Sequence, residues 1–302
     1  MKARQFASFT AATAVCLGLC LGWSTSASAV DISACPFAIT AGGTYRVVND
    51  LTASGTCITI TPPASASSIT IKLNGFTITG PGTGTAGASG IIAPVPTSKI
   101  NVDGPGAIVK FGAGIALPFT EGATVERVNV LDNGLGIVVS QGSVSDSVVS
   151  GNQGNGVTVG DDSIVSNVTA NDNGETGIEV GTESTVSQST ANSNGAGVSA
   201  GVRSLVRNTT ANDNSDFGIT IGIRGTVEQS TANHNGESGI IAEPGSNIKD
   251  NTASNNSIGI LAHCPATIQQ NTAQFNFVGL GLEDIVLSGD GCTLKNNITT
   301  GL

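Results

Sequence analysis

From residue 125 onward, apolar, β-branched and polar positions recur together at intervals of about twenty residues. Glycines that precede an apolar residue fall at Gly136, Gly156, Gly177, Gly197, Gly218, Gly239, Gly259 and Gly279. β-Branched residues form a second column: Val125, Val144, Val165, Val186, Val206, Val227, Ile248 and Ile268. Asparagines form a third, eight residues later: Asn133, Asn152, Asn173, Asn194, Asn214, Asn235, Asn256 and Asn276. Such a period marks a stacked repeat, in which one unit cannot bury its own apolar side. Gly and Asn in every repeat, with no 3.6-residue periodicity, argue against helices.

Each repeat reads as three short strands. The first carries the Val or Ile, the second is a Thr-Ala-Asn segment such as Thr190-Ala191-Asn192, and the third follows the glycine. In Gly177-Ile178-Glu179-Val180, alternation turns Ile178 and Val180 inward and Glu179 outward. Asn suits the sharp bend before that strand, and stacked Asn amides can bond along the stack. The one-residue variation in repeat length falls mostly between the Asn and the Gly, as in a turn that tolerates insertion. Residues 43–124 follow the plan more loosely. Gly43–Val48 and Cys57–Ile60 read as strands, Ile69–Ile78 as two strands joined at Asn74-Gly75, and Gly90 and Gly114 extend the glycine column.

The opening Gly43-Thr44-Tyr45, the segment Ile71-Lys72-Leu73-Asn74-Gly75-Phe76-Thr77-Ile78 and the Asn…Gly-Ile repeats resemble the right-handed parallel β-helix repeat proteins of the pectin lyase-like fold. The resemblance covers roughly residues 40–300. It implies an all-β solenoid of about ten to eleven coils. It is poor for function, because the fold hosts lyases, hydrolases, epimerases, adhesins and proteins without known activity. Of the Asn-Thr-Asp, Asp-Asp and Gly-His-Gly motifs of polygalacturonase-like members, this chain has only Asp161-Asp162. The Asp-Pro-His-Asp motif of alginate epimerases is absent.

The N-terminus reads as an address. Lys2 and Arg4 precede an apolar stretch from about Ala11 to Gly22, and Ala27-Ser28-Ala29 gives a small-x-small cleavage pattern. The expected organisation is a signal peptide over 1–29 and one domain over 30–302. That domain divides into irregular coils (30–124), regular coils (125–282) and a C-terminal loop and cap (283–302). Localisation is then secreted or periplasmic, with no transmembrane segment in the mature chain. Cys35, Cys57, Cys264 and Cys292 remain after cleavage, and export favours two disulfides. Three pairings are open. Cys35–Cys57 with Cys264–Cys292 is the local one.

The chain carries a net charge of −10, or −12 once Lys2 and Arg4 leave. That balance speaks against nucleic acid as a partner. A polysaccharide is the partner class the resemblance implies, although Tyr45 is the only tyrosine and the only tryptophan lies in the leader. The acidic candidates for catalysis are Asp161, Asp162, Glu179 and Glu183, with Arg203 nearby. Outward carboxylates at coil spacing can hold calcium or share acid and base roles, and no other cofactor is implied. The plainer reading is a surface charge ladder in which Glu183 meets Arg203. Arg207, Glu228 and Lys249 form another ladder of alternating sign.

Thr169, Thr190, Thr210, Thr231, Thr252 and Thr272 form a column, with Asn171, Asn192, Asn212 and Asn233 two residues later. If the intervening alanines point inward, the two columns face outward together. Such an array suits an ordered surface such as ice or a crystalline polysaccharide. The long Gly279–Leu294 interval, with Glu283, Asp284 and Asp290, reads as a capping loop beside Cys292. His234 and His263 have no evident partners in the sequence. Three functions follow: a non-catalytic structural or carbohydrate-associated extracellular protein, a polysaccharide lyase or hydrolase acting around Glu179, and an ordered-surface binder.

Overall fold

A computed structural model describes residues 29–62, 68–278 and 281–300. The proposed signal peptide, apart from Ala29, and Gly279 of the glycine column lie outside the described residues. The chain is an all-β solenoid whose coils stack in parallel. A 17-stranded sheet, here sheet A, carries the first and second strands of the coils, and a 12-stranded sheet, sheet B, carries the third. The twelve strands of sheet B give about twelve coils, slightly more than the repeat count predicts.

The β-branched column is the spine of the core. Tyr45, Ile71, Val102, Val125 and Val144 stand in register on successive coils. The column continues through Val165, Val186, Val206, Val227, Ile248, Ile268 and Leu294. From Ile71 to Ile268 every member is 0% exposed, and burying each such side chain contributes about 1.5–3 kcal/mol. The irregular N-terminal coils join the same column. Residues 69–79 form strands Ile69–Lys72 and Thr77–Thr79. The bend between them places Asn74 and Gly75 at φ of 53° and 85°.

Each coil turns three corners, and each corner carries a polar ladder. Between the second strand and sheet B stands the Asn column, buried throughout. In each step the Nδ2 of one Asn donates to the Oδ1 of the next, as in Asn173 to Asn194 (3.0 Å), and its backbone N–H donates to the same oxygen (2.9 Å). A second Nδ2 bond reaches back to a core strand carbonyl, as in Asn194 to Ala170 (2.9 Å). These bonds satisfy backbone groups that a buried bend would otherwise strand. Between the first and second strands a mixed ladder uses Ser147, Ser189, Ser230, Asn251 and Asn271 in the same way. At the third corner Ser163, Ser184 and Ser204 accept the amide of the preceding coil.

The glycine column packs against the Asn column. A Cβ on Gly156 would sit 2.6 Å from the Gly177 carbonyl oxygen and 2.7 Å from Asn173 Nδ2. The column is therefore set by close approach of coils rather than by backbone angle.

The C-terminal segment differs from expectation. Residues 283–302 were expected as loop and cap, yet 285–299 form a further coil. Ile285–Ser288 is the last strand of sheet B, and Ile260 pairs with Ile285. Thr293–Lys295 and Ile298–Thr299 continue sheet A and the second-strand stack. The extra length is an insertion, in which Phe277–Val278 and Gly281–Leu282 pair antiparallel. Asp284 consequently takes the ladder position after Asn276. Its carboxylate accepts from Asn276 N and Nδ2 (3.2 and 3.0 Å) and from Thr300 N (2.6 Å).

The disulfides are Cys35–Cys57 and Cys264–Cys292, the local pairing. Each ties a terminal coil to its neighbour. Cys292→Ser is expected to loosen the last coil by roughly 3 kcal/mol and leave the middle untouched, because coils contact only their neighbours. Hydrogen exchange by mass spectrometry checks this. Equal loss of protection around Val186 and Val206 would show the staple is not local.

Candidate functional site

Three outward surfaces carry the polar residues singled out by the sequence. The first is the turn after sheet B. Here Asp162, Glu183, Arg203 and Arg224 occupy equivalent exposed positions with φ of 53° to 60°. Glu183 pairs with Arg203, so opposite charges on successive coils meet. Asp161 Oδ1 accepts the Thr182 amide (2.7 Å), and Gln141 Nε2 reaches Asp162 Oδ2 (3.5 Å). These carboxylates are thus engaged in joining coils.

The second surface is the outer face of sheet B. Glu179 is half-buried there, in register between Thr158 and Ser199. Asn155 Nδ2 donates to Glu179 Oε2 (2.8 Å) and to Thr158 Oγ1 (3.1 Å). Farther along the column stand Thr220, Ile241 and Leu261. The structure does not bring Glu179 together with Asp161, Asp162 or Glu183. They belong to the turn, and its register neighbours carry hydroxyls. Among the described residues no group of three or more His, Cys, Asp or Glu side chains is arranged to hold a metal ion.

The third surface is the outer face of the second strands. Thr169, Thr190, Thr210, Thr231, Thr252 and Thr272 bridge one another in sequence along six coils. The alanines between the Thr and Asn columns, Ala170 to Ala273, are 0% exposed, so both columns face outward. The outer asparagines form their own ladder. Asn171 Oδ1 accepts from Asn192 N (2.9 Å), Asn192 from Asn212 N and Asn212 from Asn233 N (both 2.8 Å). Each carbonyl oxygen is fixed to the next coil. The Nδ2 groups of these four residues have no partner in the chain among the described residues. The face is a grid of hydroxyls and amide donors, about 4.8 Å apart along the axis.

Sequence reasoning missed the outer Asn bonds, the mixed corner ladder and the Asn155–Glu179 pair. The Asn155 bond was hidden because the two residues lie 24 apart. His263 Nδ1 lies 3.2 Å from Glu243 Oε1 on the preceding coil, and His234 is exposed in a turn. No helix among the described residues is long and apolar enough to cross a membrane.

A parallel β-solenoid with hydrogen-bonded ladders at its corners defines the structural class. The chain belongs to the right handed beta helix region family, whose sequence profile matches residues 113–278. No curated protein sequence matches it. Among solved structures, the mannuronan C-5 epimerase AlgE4 A-module of Azotobacter vinelandii is similar at 17% identity and a TM-score of 0.55, over 86% of this chain and 87% of that one. The AlgE6 A-module of the same organism aligns at 16% identity and a TM-score of 0.56, over 86% and 91%. The periplasmic alginate epimerase AlgG aligns at 12% identity and a TM-score of 0.61, over 87% and 76%. At these identities the likeness is one of fold.

Proposed function

We propose that the protein is an exported, non-catalytic β-helix that associates with an ordered polysaccharide through its Thr/Asn face. The observation that carries this is the in-register threonine column over six coils, flanked by amides whose carbonyls are fixed. A grid of donors on stacked coils in register is pre-organised for a regular polymer and loses little side-chain entropy on binding. Two disulfides support an oxidising compartment, and alginate-acting structural neighbours support carbohydrate as the ligand class. The proposed mature domain is 30–302, after removal of 1–29.

A glycan array with soluble and crystalline polysaccharides tests the reading. Binding is expected, and Thr190→Lys with Thr231→Lys is expected to weaken it at least tenfold, about 1.4 kcal/mol, with an unchanged melting curve. A blank array removes the carbohydrate part. Thermal hysteresis that survives a blank array makes ice the surface instead.

The second reading, a lyase or hydrolase, rests on Asn155 orienting Glu179. It predicts unsaturated products or new reducing ends from a uronate-polymer panel, with or without calcium, and their loss in Glu179→Gln. Turnover of any such polymer would overturn the non-catalytic reading.

A further inference from the structure

The Thr/Asn face is rich in hydrogen-bond donors and carries no cation. Asn171, Asn192, Asn212 and Asn233 each spend Oδ1 on a backbone N–H of the following coil, the last on Ser254 N (2.8 Å). That bond fixes which way each carboxamide points, because a flipped amide would set its Nδ2 against an N–H donor. Each of these four coils therefore presents two N–H donors without a partner in the chain among the described residues, about 4.8 Å from those of the next. The strand backbone offers nothing in exchange. Ala170 N donates to Thr190 O (2.7 Å), Thr190 N to Val168 O and Ala191 N to Thr210 O (both 2.8 Å). The threonine hydroxyls donate and accept alike. At the rim before the threonines stand more carboxamides, Gln188, Asn208 and Gln229, all exposed. Segment 167–173 and its counterparts 188–194, 208–214, 229–235, 250–256 and 270–276 contain no Lys or Arg. Apart from His234, their ionisable residues are Asp172, Asp213 and Asp250, all exposed.

We propose that this face takes a neutral polysaccharide bearing acyl esters, whose ester carbonyls accept from the asparagine Nδ2 groups. The proposal rests on the reading of the face as a polysaccharide site and names the chemistry of the ligand. An interface that closes over these donors takes away the water they bonded to, so the ligand must bring acceptors in excess of donors. A plain neutral glycan does not, since every hydroxyl adds a donor with its acceptor. An acetamido group keeps an N–H and so removes no donor. A carboxylate accepts only, but a polyuronate brings a negative charge on every ring to a face whose own charges are negative, on a chain of net charge −10. An ester replaces a hydroxyl, deletes its donor and adds a carbonyl oxygen with two lone pairs. It is the sugar substituent that is both acceptor-only and uncharged. The locked carboxamides make the match directional, because the donors do not have to turn on binding and lose little freedom there.

Depletion binding of the whole mature chain to four immobilised polymers tests the proposal: acetylated xylan, the same xylan stripped of its esters by mild alkali, chitin and polygalacturonate. Acetylated xylan is expected to bind at least tenfold more tightly than the other three, and salt is expected to leave that binding unchanged because no charge is paired. Asn192→Asp with Asn212→Asp keeps an acceptor for the next coil and deletes both pairs of donors. It is expected to weaken binding to acetylated xylan at least tenfold with an unchanged melting curve. If this variant does not fold, the wild-type comparison of the two xylans still decides. Equal binding to both xylans, lost in Thr190→Lys with Thr231→Lys, would overturn the ester inference and leave the face a polysaccharide site. Preference for chitin or polygalacturonate through the same face would do likewise. A folded Asn192→Asp, Asn212→Asp variant of full affinity would also overturn it. So would no binding to any of the four, and a blank glycan array would then remove the underlying reading as well.

Discussion

Gly218→Val is expected to destabilise the solenoid by at least about 3 kcal/mol, among the largest effects of any single substitution in the chain. A Cβ at this position would lie 2.5 Å from the Gly239 carbonyl oxygen, 2.7 Å from Asn235 Nδ2 and 2.8 Å from Ala232 Cβ. None of these can yield cheaply. The carbonyl belongs to the next coil, the amide is held by Asn256 Oδ1 and Ala211 O (both 3.0 Å), and Ala232 is 0% exposed. Relief therefore requires coils to part, which breaks sheet pairing and the ladder together. Backbone angle plays no role, since Gly218 has no left-handed φ. Gly55→Ala is the control, because nothing lies within 4 Å of its Cβ position and its φ is ordinary; it is expected to be neutral within about 0.5 kcal/mol. Guanidinium denaturation of both variants checks the contrast. A Gly218→Val midpoint equal to wild type would mean the coils are not packed to this tolerance.

The same contact explains what was legible in the sequence. The glycine and asparagine columns were each visible because one residue type holds one position. Their dependence on each other was not, since Gly177 and Asn194 are 17 positions apart and meet only when coils stack. The first-corner ladder was invisible for the opposite reason. Serine, valine, threonine and asparagine all occupy Ser147, Val168, Thr209 and Asn251, so no single type marks it. Any acceptor on a short side chain serves there, because the partner is a backbone N–H, and Val168, which has none, interrupts the ladder. The last coil was misread because Gly279 falls at the right interval, whereas the inserted Phe277–Leu282 hairpin moves the next core residue to Ile285. At the surface, Glu183 and Arg203 were legible because opposite charges shared a column. Glu179 was legible as outward but not as bonded, since its partner Asn155 has no counterpart in neighbouring coils.

Asn194→Ala is expected to cost about 4 kcal/mol, the second large effect, through unmade hydrogen bonds rather than crowding. Asn194 is 2% exposed. Its Oδ1 accepts from Asn173 N and Nδ2 (2.9 and 3.0 Å), and its Nδ2 donates to Ala170 O and Asn214 Oδ1 (2.9 and 3.2 Å). Four bonds at about 1 kcal/mol each set the scale, and the donors left on Asn173 are buried and pay desolvation without return. The substitution adds a cavity of side-chain size next to Gly177, whose Cα faces Asn194 Nδ2. Loss is expected to spread unevenly. Because each ladder step depends on the next, exchange protection of the Asn173 amide should fall most, then that of its neighbours on either side, while coils near Cys57 keep theirs. Asn192→Ala, in the outer ladder two residues away, separates ladder from composition. It removes one half-buried acceptor, from Asn212 N (2.8 Å), so a loss below about 1 kcal/mol is expected. Equal losses in the two variants would mean that neither the burial nor the number of bonds of the inner amides adds stability, and the account of the ladder as the device that satisfies the closed corner would fail.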